Sequence, residues 1–178
     1  LLQGPILYDD THNISTHFHP QWRDQMWGIW QTDERGLDPD GEPFDIPMQG
    51  LGVFSSRKAA WPGFNPAFRG FGGEEGYIHE KFRQRGGRCL CLPWLRWMHR
   101  FGRPKGVPYP LSVEDKFRNY ILGHSELGLD LAPIIEHFST YLSAERIAAI
   151  LQDAARYAEQ STPVTRKTVE PLNYTPIE

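Results

Sequence analysis

Cysteine is scarce in this chain of 178 residues: there are two, Cys89 and Cys91. That scarcity excludes the disulfide framework of a small secreted domain. In a strand over "RCLCLPW" the two would share one face and could not easily bond each other. A reduced, cytoplasmic setting is the expectation. Long apolar runs are missing as well. None approaches the roughly 20 residues that span a bilayer, so neither a transmembrane segment nor a secretory leader is expected. Nor is there an excess of one charge: 19 Lys and Arg face 22 Asp and Glu, a net charge of −3. Charge therefore supplies no general attraction to nucleic acid or to an anionic membrane. Internal repeats and an initiator methionine are also missing. The chain opens "LLQGPILYDD", and the expectation is a piece of a longer protein.

What is there is globular. With 39% hydrophobic and 13% aromatic residues, the chain holds core material for one domain and is short for two. "LLQGPILYD" reads as a strand. Residues 21–30 read as a helix or an irregular aromatic segment, and 31–43, rich in Asp, Gly and Pro, as a surface loop. A strand is expected around Leu51–Ser55, then a turn-rich connector, "PGFNPAFRGFGG". Residues 74–85 read as a helix with acids at its start, Lys81, Arg83 and Arg85 near its end, and Gly86 as its stop. "RCLCLPW" reads as a strand and "HRFGRPKGVPYP" as a flexible loop. "SVED" opens a further helix as a capping box, ending near Gly123. The segments "LDLAPIIEHFSTYL" and "SAERIAAILQDAARYAEQ" continue in helix. From about Ser161 the chain reads as an unpacked Pro/Thr tail. The pattern is mixed α/β with helices gathered late.

Chemistry gathers in "RGFGGEEGYIHEKFRQRGG". Glu74 and Glu75 follow Gly72-Gly73, so two carboxylates stand where bare backbone lets a ligand approach. Helix neighbours diverge by about 100°, which argues against the opposed acids of a glycoside hydrolase. Complementing the helix dipole is the plain alternative role. His99, in "LRWMHRF", stands among Arg96, Arg100 and Arg103. An imidazole at a strand end beside guanidiniums suits a metal held against a diphosphate, while a solvated charged surface remains the alternative. His79 reads as structural, because "HEKFR" lacks the second His of a metalloprotease helix. Trp22, Trp27 and Trp30 could stack on a sugar or fill a core.

In this order the clusters resemble the C-terminal half of a GT-A glycosyltransferase domain. The nearest likeness is to family-2-like enzymes such as the polypeptide N-acetylgalactosaminyltransferases and the β-1,4-galactosyltransferases. "MQGLGVFSSRKAAW" leads through "GFNPAFRGFGGEE" into a helix, as in that group's Gly-Gly-Glu motif. "EKFRQRGG" looks like its Phe-Arg helix end, and "LPWLRWMHRFGRPKGVPY" like its strand ending in His and running into a mobile lid. The likeness is good over residues 48–110 and loose over 1–47.

The resemblance implies an α/β fold: the C-terminal part of a GT-A domain over residues 1–125, a helical extension over 126–160 and a flexible tail over 161–178. It implies a metal-dependent transferase moving a sugar from a nucleotide-sugar donor, a UDP-sugar, to a glycan, protein or small-molecule hydroxyl. His99 would hold Mn²⁺ or Mg²⁺. Glu75 would be the acceptor-side base and Glu74 would contact sugar hydroxyls. Gly50, Gly52, Gly72, Gly73 and Trp97 would line the substrate site, with Arg100, Arg103 and Tyr109 on the closing loop. One departure stands out: Gly102 replaces the family's Arg after Phe, between Arg100 and Arg103. Asp10-Thr11-His12 could be the Asp-x-His metal motif, or that motif lies upstream of Leu1. The alternative function is a non-catalytic carbohydrate-binding or assembly module on the same framework.

Overall fold

The computed structural model describes residues 1–10 and 12–160; the expected tail over 161–178 lies outside the described residues. Six strands precede the first α-helix, two more follow it, and three α-helices close the order. The strands are β1 (Leu2–Gln3), β2 (Ile6–Leu7), β3 (Ile14–Ser15), β4 (His17–Arg23), β5 (Met26–Gln31), β6 (Phe44–Asp45), β7 (Leu90–Cys91) and β8 (Trp97–Met98). The helices are α1 (Glu74–Gln84), α2 (Val113–Leu127), α3 (Ala132–Phe138) and α4 (Ala144–Gln160). The fold is mixed α/β, with small mixed sheets. Among the described residues no helix is long and apolar enough to cross a membrane.

The strand expected over "LLQGPILYD" is broken at Gly4-Pro5, where proline has no N–H to give a ladder. Its halves join different sheets. β1 lies parallel to β7, which pairs antiparallel with β6; β2 lies parallel to β8 and antiparallel to β3. The first two sheets are thus joined through one short run of chain.

Two expectations are corrected. Residues 21–30 are neither helical nor irregular: β4 and β5 form an antiparallel hairpin turned at Asp24, whose φ is 51°. The register shifts between His19 and Trp22, where Pro20 cannot donate and a bulge absorbs the extra residue. Aromatic and β-branched residues favour the pleat, and Trp22 packs edge-on against Trp27 directly across the hairpin, 5.0 Å between ring centres. The strand expected at Leu51–Ser55 does not form either. That segment touches β1 at one bridge, Leu2 with Ser55, and the strand of the region is β6.

The helices follow the sequence closely. α1 begins at Glu74 and ends one residue short of the expected bound, with Gly86 beyond it at φ 75°. The Ser112 hydroxyl caps α2 by accepting the Asp115 N–H. α2 does not stop near Gly123. It runs on to Leu127 and ends at left-handed Gly128, so residue 125 lies inside it. Gly123 serves packing instead, since a Cβ there would stand 3.0 Å from the Tyr77 ring and 3.2 Å from the Phe68 ring.

Two cores result. Phe117, Tyr120, Ile121, Ile134, Phe138, Ile147 and Ile150 fill the space between α2, α3 and α4. Phe44, Ile46, Ile78, Phe82, Cys89 and Cys91 fill the space between α1 and the strands. Phe68 packs against both cores, and α1 lies along α2. Both cysteines are free and buried.

Candidate functional site

The glycine turn ahead of α1 is built by close approach. Gly72 and Gly73 have φ of 104° and 95°, values L side chains rarely adopt. A Cβ on Gly72 would stand 2.9 Å from Cγ of Lys116, and one on Gly73 would stand 3.1 Å from Cβ of Asn119. The turn therefore lies flat on α2. Asn119 clamps it: its Oδ1 accepts the Arg69 N–H (2.9 Å), and its Nδ2 donates to the carbonyls of Arg69 (2.8 Å) and Gly72 (2.9 Å). Sequence reading missed Asn119, because a lone Asn on a helix carries no signal of what it holds.

This turn delivers Glu74 and Glu75 into the first turn of α1. Glu74 joins Phe64, Asn65, Phe68, Gly70 and Asn119 around a depression of about 280 Å³. Glu75 is not on that wall. Burial raises the Glu74 carboxyl above its ordinary range, opposed by backbone N–H groups of Glu74 and Gly72. Burial and then the charge of Glu74 push Glu75 up to about 8. Burial thus favours the protonated form of both carboxyls, and the charge of Glu74 adds to this at Glu75.

Behind the pair, His79 is fully buried, and desolvation pushes it down to about 4, so it is neutral. Its Nδ1 bonds the Glu75 carbonyl (2.6 Å) and its Nε2 accepts the Gln49 N–H (3.2 Å). Gln3 Oε1 lies 2.5 Å from the same Nε2, and Gln3 Nε2 donates to the Gly50 carbonyl (2.7 Å). His79 is structural, as expected, and it links the first turn of α1 to β1 and to Gly50.

His99 follows β8 directly, and its N–H donates to the Leu7 carbonyl at the end of β2 (2.9 Å). Two parallel strand ends thus meet, and Asp9 lies just beyond the other one. Desolvation, then the nearby Arg103 charge, lowers the His99 pKa, while Asp9 opposes them. The imidazole is neutral near pH 7, and its buried Nδ1 has no hydrogen-bond partner. That orphaned nitrogen suits a metal ligand, and Asp9 supplies a carboxylate beside it. The fit is two donors deep: no group of three or more His, Cys, Asp or Glu side chains able to hold a metal occurs among the described residues.

Asp10 is occupied elsewhere. Its carboxylate accepts the N–H groups of His12 and Asn13 (3.0 Å each) and the Asn13 amide (2.6 Å), a locally closed turn.

The Trp97 ring lies over Gly52, where a Cβ would be 2.5 Å from it, and Trp97 Nε1 donates to the Gly4 carbonyl. Gly50 lies under Trp30, 3.2 Å from a built Cβ. Aromatic neighbours thus account for both glycines. Arg100 and Arg103 are exposed, and Arg103 Nη1 donates to the Tyr109 hydroxyl (3.4 Å). Phe101 stacks on Tyr8, and Tyr109 stacks on Phe71, with ring centres 4.9 and 5.7 Å apart. The 99–110 loop therefore starts at His99 and returns to the chain just before Gly72. Trp22 and Trp27 pack against the helical core, and Trp30 packs on Phe18.

No protein-family model matches the chain, and a search of curated proteins gives no match.

Proposed function

We propose that the chain carries the acceptor side of a GT-A glycosyltransferase site, moving a sugar from a nucleotide-diphosphate donor to a hydroxyl. The observation that supports this best is Glu74, a carboxylate of raised pKa on the wall of a depression, delivered by a rigid glycine turn. An acceptor hydroxyl is a weak nucleophile near neutral pH and needs a positioned base. In the transfer, the hydroxyl oxygen bonds the anomeric carbon, the bond from that carbon to the diphosphate breaks, and the hydroxyl proton passes to Glu74. The assignment exchanges the two roles expected from sequence, because Glu74 and not Glu75 lines the depression.

His99 and Asp9 would hold Mn²⁺ or Mg²⁺, whose chemistry when bound is to neutralise charge developing on the diphosphate. Arg100 and Arg103 would meet the same phosphates from the 99–110 loop, and Tyr109 would anchor that loop near the glycine turn.

The test compares sugar transfer by the full-length protein and its Glu74→Gln and Glu75→Gln variants. Glu74→Gln should lower kcat by on the order of 10²–10⁴ with donor affinity nearly unchanged, the pattern of a contact made in the transition state. Wild-type turnover in Glu74→Gln would overturn the reading. Saccharide binding without any turnover in the wild-type protein would favour the non-catalytic carbohydrate-binding module instead.

A further inference from the structure

The depression at Glu74 does not end at Phe64. Phe64 meets Trp61 edge to face, with ring centres 5.3 Å apart, and Trp61 stacks on Phe54 at 5.4 Å and 19° between planes. Phe54 and Phe64 are 36% and 42% exposed, so a row of three aromatic rings runs outward from the carboxylate. Trp61 packs against the second core, whereas Phe54 and Phe64 belong to neither core. The row is nevertheless fixed in place. Trp61 is anchored on the Phe82 ring at 6.0 Å. The turn at Gly63 (φ 71°) is held by Lys81, whose Nζ donates to the Gly63 carbonyl at 2.9 Å. Asn65 donates to Glu126 (2.9 Å) and accepts the Ala67 N–H (2.9 Å). Contiguous exposed apolar surface of this kind marks a binding site more often than an accident.

We infer that the row of Phe64, Trp61 and Phe54 is a platform for a neutral oligosaccharide acceptor, whose terminal sugar seats at Glu74. Sugar rings offer an apolar face of C–H groups to an aromatic plane and hydroxyls to a carboxylate, and this surface presents both in sequence. No Lys, Arg or His lines the depression, so it offers an anionic ligand no counter-charge. The aromatic row, continuous with the depression, gives an extended chain more to hold than a single hydroxyl compound. The inference rests on the transferase reading for the word acceptor, and on the rings and depression alone for the ligand class.

The experiment titrates the full chain with neutral cello-, chito- and malto-oligosaccharides, from monosaccharide to tetrasaccharide, and follows the Trp61 indole N–H signal by NMR. Affinity for at least one series should rise with length. Phe54→Ala should cut affinity for the tetrasaccharide by about tenfold and leave the monosaccharide unchanged, and Phe64→Ala should weaken every length. Both residues are exposed, and folding of each variant is checked by its melting curve. No shift at Trp61 across the panel, or a length dependence unaltered by both truncations, overturns the platform. Self-association of the wild type that Phe54→Ala abolishes also overturns it, in favour of a second copy of the chain. Loss of the platform with Glu74→Gln still abolishing transfer leaves the transferase reading intact. Length-dependent binding with no transfer leaves the platform and removes the transferase.

Discussion

The Gly72–Glu75 turn and the 99–110 loop are built in opposite ways. The Gly72–Glu75 turn is pressed on α2, clamped by three hydrogen bonds from one buried Asn, and backed by the buried His79. The 99–110 loop is exposed from Arg100 to Gly106 and is tied down by ring contacts of Phe101 and Tyr109 near its ends. The turn is fixed by buried packing and hydrogen bonds, whereas the loop is held chiefly by aromatic contacts near its ends.

The contrast breaks first at glycine. Gly73→Ala combines a left-handed backbone with contacts at 3.1 Å to Asn119 and 3.3 Å to the Tyr120 nitrogen. It should destabilise the chain by about 3 kcal/mol, read as a shift in the urea midpoint. A loss below that of an ordinary surface substitution would show that the turn is not pinned on α2.

The second test uses pH. Glu75 titrates at about 8 when folded against an ordinary 4.5. A carboxyl raised in the folded state favours folding fully below the unfolded value. That contribution falls as pH rises from about 4.5 and is lost once pH passes about 8. Glu75→Gln cannot ionise, so relative to wild type it should gain more than about 1.4 kcal/mol of stability between pH 5 and pH 8. Parallel melting profiles for the two proteins across that window would refute the raised Glu75 pKa. The aspartates held low, such as Asp33 at about 2, act below this window and cancel in the comparison.

The smallest effect belongs to the loop. Gly106 also has a positive φ, 69°, yet nothing lies within 4 Å of a Cβ built there. Gly106→Ala should therefore cost only the backbone strain, about 1 kcal/mol. A cost equal to that of Gly73→Ala would erase the distinction between the turn and the loop.

Helices were legible from the sequence because their signals are local. The acids at 74 and 75, the Ser112 cap and Gly86 each mark a boundary within one turn. Gly123 misled for the opposite reason: it looks like a stop, but its purpose is to admit the Tyr77 and Phe68 rings from elsewhere in the chain. The β4–β5 hairpin was missed because Pro20 and the bulge interrupt its alternation, and alternation is the only local sign of a strand. At the site, the glycines, the glutamates and His99 were legible as residues. Which glutamate faces the depression was not, since that depends on Asn119 and Phe64 brought in from distant positions.

The buried cysteines give the chain an experimental property. Cys91 is pushed up to about 12 and Cys89 is also raised, each chiefly by burial, and the Cys89 Sγ donates to the His79 carbonyl. Neither thiol is ionised or accessible in the folded protein, so thiol-directed reagents have no native target. A cysteine introduced at exposed Arg100 would then be the one reactive thiol on the folded surface. A spin label or fluorophore attached there would report how mobile the loop is, with both native cysteines left in place.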